Sequence, residues 1–76
     1  MSHGYSLKLR DLNMSADQRK LGVRLGKACI EHNIPVTVVA ERMGVTRATV
    51  YNWFSGASAP HPSTVTVIES YLASIK

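Results

Sequence analysis

The sequence predicts an all-α fold, a small helical bundle of four main helices preceded by a short N-terminal arm or strand. Three observations carry that expectation. From about residue 16 onward apolar residues recur at steps of three and four, the period of one helix face. Asn, Pro and Gly interrupt this pattern at intervals of about one helix length. A chain of 76 residues with one cysteine has material for a single hydrophobic core and none for a disulfide framework.

Residues 1–14 read as the arm, because Tyr5, Leu7 and Leu9 alternate with Ser6, Lys8 and Arg10 in the period of a strand. Residues 15–76 form the domain proper. Its first helix, about 16–32, starts at Ser15, with Gln18 at the capping-box spacing. Leu21, Leu25, Ala28, Cys29 and His32 share one face of it. Gly22 and Gly26 lie four apart beside that face, where glycine lowers helix propensity, so they point to another element approaching closely. Asn33 suits a left-handed C-terminal turn, and Pro35 suits the first position of the next helix. That second segment, VTVVAERMG, is β-branched but spaces Val39, Ala40 and Met43 on a helical face, leaving Glu41 and Arg42 outside. Thr46 caps a third helix, about 46–55, that buries Val50, Trp53 and Phe54 and ends at Gly56. SGASAPHP is a loop, and Ser63 can cap a last helix whose face is Val65, Ile68, Leu72 and Ile75.

Composition narrows the function. Hydrophobic residues at 45% and charged residues at 18% describe an ordinary folding chain. One small core leaves little room for a deep, water-excluding pocket, which disfavours an enzyme. Nine Lys and Arg against five Asp and Glu favour an anionic partner such as nucleic acid. The lone Cys29 and the charged start of the chain point to a soluble, complete protein of a reducing cytoplasm, without signal peptide or membrane span.

A short helix, a turn and a second capped helix make a helix-turn-helix, a unit that presents its second helix to the DNA major groove. Its steric demands are met in place: Ala40 is small where the helices cross, Gly44 turns the chain, Val45 fills the corner, and Val50 with Trp53 anchors the second helix. LGVRLGKACIEHNIPVTVVAERMGVTRATVYNWFSG, residues 21–56, resembles the first three helices of the phage repressor and Cro (XRE-like) helix-turn-helix family without a gap. ASAPHPSTVTVIESYL resembles that family's fourth helix and the loop before it, so the likeness covers residues 15–75. The resemblance implies a dimeric DNA-binding domain of a bacterial or phage transcription regulator, a repressor of the Cro-like kind, working in the cytoplasm of a bacterial host among nucleoid-associated proteins.

The residues themselves suggest how bases would be read. With Val50, Trp53 and Phe54 inward, Arg47, Ala48, Tyr51 and Ser55 lie on the opposite side with Asn52 flanking. Arg47 offers a fork for guanine O6 and N7, Asn52 can pair with adenine N6 and N7, and Ala48 and the Thr49 methyl suit a thymine methyl. Tyr51 suits a phosphate, and the Thr46 hydroxyl must choose between capping and phosphate.

Several positions depart from the family. Its polar residue at the start of the second helix is Val36 here, with Thr37 beside it as a substitute. An Arg in the first helix paired with a Glu late in the third is replaced by Cys29 and Phe54, a dry version of the same junction. The loop after Gly56 lacks Lys and Arg, while Lys8, Arg10, Arg19, Lys20, Arg24 and Lys27 lie in the N-terminal third, so phosphate contact is expected to shift toward the arm and first helix. The family's fifth, dimerising helix has no counterpart before Lys76, so the expected homodimer contact is the arm, through Tyr5, Leu7 and Leu9.

Other chemistry is weakly represented. Cys29 and His32 are three apart, but a structural zinc needs four ligands, so no metal or cofactor is expected. No nucleophile elbow or phosphate-cradling glycine loop is present. The competing function is a protein-interaction module, an antitoxin or polymerase-binding regulator, since Arg, Tyr, Asn and Trp also make protein hot spots.

Overall fold

In the computed structural model, residues 5–75 are described, and they fold as five helices in chain order: α1 (Leu7–Ser15), α2 (Leu21–Glu31), α3 (Val36–Met43), α4 (Arg47–Ser55) and α5 (Pro62–Ile75). The all-α bundle is as expected. Helix α2 is its axis, with α4, α5 and α1 all packed against it. Val23, Leu25 and Cys29 are wholly buried, because α2 is enclosed from several sides.

The two α2 glycines are the points of closest approach. A Cβ at Gly22 would stand 2.8 Å from the Trp53 Cβ, and one at Gly26 would stand 2.7 Å from the Phe54 ring. Real side chains do not approach that closely, so the α2–α4 crossing requires glycine at both places. The core filling this space comprises Leu9, Leu25, Val36, Val39, Ala40, Val50, Trp53, Phe54, Ile68 and Leu72 together with Cys29. Cys29 and Phe54, which stand where the family's ion pair would be, are both fully buried in that cluster, so the junction is apolar.

The N-terminal segment differs from its strand-like expectation. Residues 7–15 are helical, and no strand occurs among the described residues. Ser6 adopts an extended backbone and its hydroxyl accepts from the Leu9 N–H at 3.1 Å, a regular N-cap. Tyr5, Leu9 and Asn13 are spaced i, i+4 and i+8, and all three turn toward the core. Two of the three residues proposed to make a dimer contact are therefore consumed within the molecule. Leu9 is buried, and Tyr5 stacks on Phe54 at 6.2 Å while its hydroxyl donates to the Ile34 carbonyl. Leu7 remains exposed.

Helix α2 begins at Leu21 rather than near residue 16, and Ser15 is the last residue of α1. Gln18 does not close a capping box. Its amide donates to the Asn13 and Ala16 carbonyls at 2.8 and 3.1 Å, satisfying the orphan C=O groups at the end of α1. His32 caps the C-terminus of α2 with its backbone and points to solvent instead of the core. Asn33 takes the left-handed conformation expected of it, with φ of 54°. Pro35 is the residue before α3, one place earlier than its expected position. In α5 the cap falls to His61, whose Nδ1 accepts from the Ser63 N–H at 3.1 Å, so Ser63 is inside the helix with Pro62 at its first position. Ile68 and Leu72 bury the expected face, flanked by half-buried Val65 and Ile75.

Candidate nucleic-acid interface

Helices α3 and α4 are joined by three residues, and the local chemistry of each sets their angle. Gly44 sits at φ of 71°, a left-handed conformation that ends α3, and the Val45 N–H returns to the Ala40 carbonyl at 3.0 Å. Val45 packs against the core at the corner. Thr46 is extended, and its hydroxyl accepts from the Thr49 N–H at 3.2 Å, opening α4. Gly56, at φ of 82°, closes α4 in the same left-handed manner.

Between these caps the helix is divided sharply. Val50 and Phe54 are completely buried and Trp53 nearly so. Arg47, Ala48, Tyr51 and Asn52 are exposed, and Thr49 and Ser55 are half-buried at the margins. Thr37 is exposed at the start of α3, on the chain beside buried Val36. The Val36 side chain has thus gone into the core, and Thr37 carries the only hydroxyl of that helix's first turn.

Capping and phosphate contact do not compete at Thr46. The cap uses its oxygen as acceptor, and the hydroxyl proton is left for Thr49 Oγ1 at 3.1 Å or for an external oxygen. Tyr51 is 42% exposed, with α1 standing next to it. A groove of about 410 Å³ runs between α1 and α4, with Ser6, Lys8, Leu9 and Leu12 on one wall and Tyr51, Asn52 and Ser55 on the other. Phosphate contact was expected to shift toward the arm and its cations, Lys8 among them, but not as one wall of a groove against α4, because that segment reads as a strand or extended arm.

Three cations elsewhere are tied down locally. Arg19 pairs with Asp17 at 3.0 Å, and that hydrogen-bonded partner lowers the Asp17 carboxyl to about 2. Lys20 Nζ donates to the Gly56 carbonyl at 3.1 Å, and Arg42 lies 5.2 Å over the Tyr71 ring. Cys29 and His32 do not converge: the thiol is buried and pushed up to about 12 by desolvation, whereas the imidazole faces solvent.

A helix-turn-helix family model matches residues 25–74, from the middle of α2 to the last turn of α5, so α1 lies outside the match. No curated protein and no solved structure matches the chain. The matched span covers well over half of the sequence and contains the turn, both flanking helices and the exposed face of α4, and the chain accordingly belongs to the repressor and Cro-type helix-turn-helix family, a class of DNA-binding domains.

Proposed function

We propose that the chain is a sequence-specific, double-stranded DNA-binding transcription regulator that lays α4 in the major groove. The observation that carries this reading is the division of α4: its apolar residues are spent on the core, and a fork-shaped donor, an amide and the Ala48 methyl are left facing outward, with half-buried Thr49 at the margin. Arg47 reads a guanine, Asn52 an adenine, and Ala48 with Thr49 a thymine methyl. Thr37, Thr46, Tyr51 and Ser55 flank them as phosphate contacts that fix register. The same reading makes it a non-enzymatic, Cro-like repressor of a bacterial or phage operator, acting in the cytoplasm. Two copies on a two-fold operator read half-sites about 34 Å apart. Leu9 is not the contact that joins them on this reading, since it is buried, and half-buried Tyr5 is already engaged with Phe54 of its own chain.

Selection of bound duplexes from a random pool tests the proposal. One sequence class should be enriched, and about six phosphate contacts should give a log–log salt slope near −5. Replacing Arg47 by Ala should cost about 1–3 kcal/mol and relax preference at one base position. No enriched sequence together with a flat salt response would overturn DNA reading and favour a protein partner on the same helix face.

A further inference from the structure

We propose that α1 is a second DNA-contacting element, in which the groove between α1 and α4 receives the sugar–phosphate strand bordering the bases read by α4 and Lys8 neutralises one of its phosphates. The inference rests on the DNA-binding reading above and adds to it an element that the family match does not include.

The groove joins the two helices at the right place. Lys8 lines it opposite Tyr51, Asn52 and Ser55, so a strand contacting the outer end of α4 passes beside the Lys8 ammonium. None of the lining residues is acidic, and hydroxyls from Ser6, Tyr51 and Ser55 are present on both walls. Charge complementarity thus favours a polyanion as the occupant.

Lys8 is also badly placed for any purely structural role. It stands at the second position of α1, whose first turn holds no acidic residue, so its charge meets the positive end of the helix dipole. A cation there works against the helix that carries it. The other cations among the described residues are occupied or turned elsewhere: Arg47 is the proposed base reader on α4, Arg10 and Lys27 line a different groove together with Glu31, Arg24 lines a third with the same glutamate, Arg19 pairs with Asp17, Lys20 reaches Gly56, and Arg42 lies over Tyr71. The loop from Ala57 to His61 contains no Lys or Arg to hold the strand after α4. Finally, α1 is fixed rather than tethered. Asn13 donates to the Phe54 carbonyl at 2.8 Å, and Tyr5 stacks on the Phe54 ring, which sets the distance of Lys8 from α4.

The test compares wild type, Lys8→Gln, Lys8→Glu and Lys27→Gln on the duplex selected by the wild-type chain, by fluorescence anisotropy at several salt concentrations. Lys8→Gln should lower the magnitude of the salt slope by about one, so that the affinity lost between 50 and 200 mM salt shrinks about fourfold. Its weakening should be the same on the selected duplex and on single-base variants, leaving base preference intact. Lys8→Glu should bind more weakly still while melting no lower than wild type, since an acid at that position suits the helix. Lys27→Gln, which removes the same charge from another groove, should keep the wild-type slope. Wild-type affinity and slope in Lys8→Gln would overturn the role of α1 and leave DNA reading by α4 standing, as would an equal loss in Lys27→Gln. A wild-type chain that binds no duplex would overturn both.

Discussion

A methyl group at Gly26 would have to occupy the space of the Asn13 amide and the Phe54 ring, each 2.7 Å away. Overpacking of this kind costs about 1–3 kcal/mol, and the helix propensity gained by alanine returns about 1. Gly26→Ala is therefore expected to melt lower than wild type despite its better helix propensity. Gly44 has the opposite problem. Nothing stands within 4 Å of a Cβ there, but φ is +71°. Gly44→Ala should cost about 1–2 kcal/mol through backbone strain alone, and Gly44→Asn should recover part of that because Asn tolerates the left-handed region. A Gly26→Ala protein as stable as wild type would mean that α2 and α4 are not held at this separation. Cys29 gives a residue-scale dependence on pH. Burial raises its thiol from 9.0 to about 12, so folding favours the protonated form. The sign follows: this contribution is complete below about pH 9 and is lost as pH rises toward about 12, where the unfolded thiol ionises first. Denaturant melts of wild type and Cys29→Ala should show a stability difference that shrinks across that interval. Tyr5 and Tyr71 are raised first by burial, which is common to both proteins, and next by the neighbouring Cys29, a part that belongs to the measured difference.

At the scale of elements, α1 depends on very few contacts. Leu9 and Asn13 are its buried residues, with Tyr5 just before it. Asn13 donates to Val23 O at 3.0 Å and to Phe54 O at 2.8 Å, and thereby joins α1, α2 and the end of α4. Asn13→Ala removes both bonds and leaves buried carbonyls with fewer partners, at a cost of about 1–3 kcal/mol. Hydrogen exchange should then show the amides of α1 losing protection while those of α2 remain slow; equal loss in both would mean that α1 and the bundle unfold as one unit. The same asparagine explains why α1 was hidden in the sequence. Tyr5 and Leu9 satisfy a period of two and a step of four equally well, and the residue that would settle the matter, Asn13, is polar. A hydrophobic pattern takes it for surface. Gln18 misled for a related reason, since an amide three residues after a serine fits a capping box but can equally reach back to the carbonyls of a preceding helix. Helices α2 to α5 were legible because each carries an apolar stripe bounded by Asn33, Gly44, Gly56 or Pro62. The outward set on α4 was legible by subtraction, once Val50, Trp53 and Phe54 were assigned inward. Lys8 was legible as one of several N-terminal cations expected near phosphate, but its place opposite α4 was not, because no local pattern encodes which helix stands there.

Over the whole molecule, the described residues extend 33 × 24 × 22 Å. Successive major-groove faces on one side of a duplex are about 34 Å apart, and α4 is the one helix whose exposed face carries the proposed base-reading residues. A single copy of this size can set α4 into one groove and cover its flanking phosphates, but it has no second reading helix for the next turn. A two-fold operator should therefore be filled by two copies. Titration of a labelled duplex well above its dissociation constant should break at two chains per full operator and at one chain per isolated half-site. Moving the half-sites apart by about five base pairs places them on opposite sides of the helix. If the copies touch when bound, that insertion should lower affinity for the full operator to the level of two independent half-sites. If they do not touch, the full operator should behave as two independent half-sites at either spacing. One chain protecting both half-sites would contradict the molecule's dimensions and the assignment of reading to α4 alone.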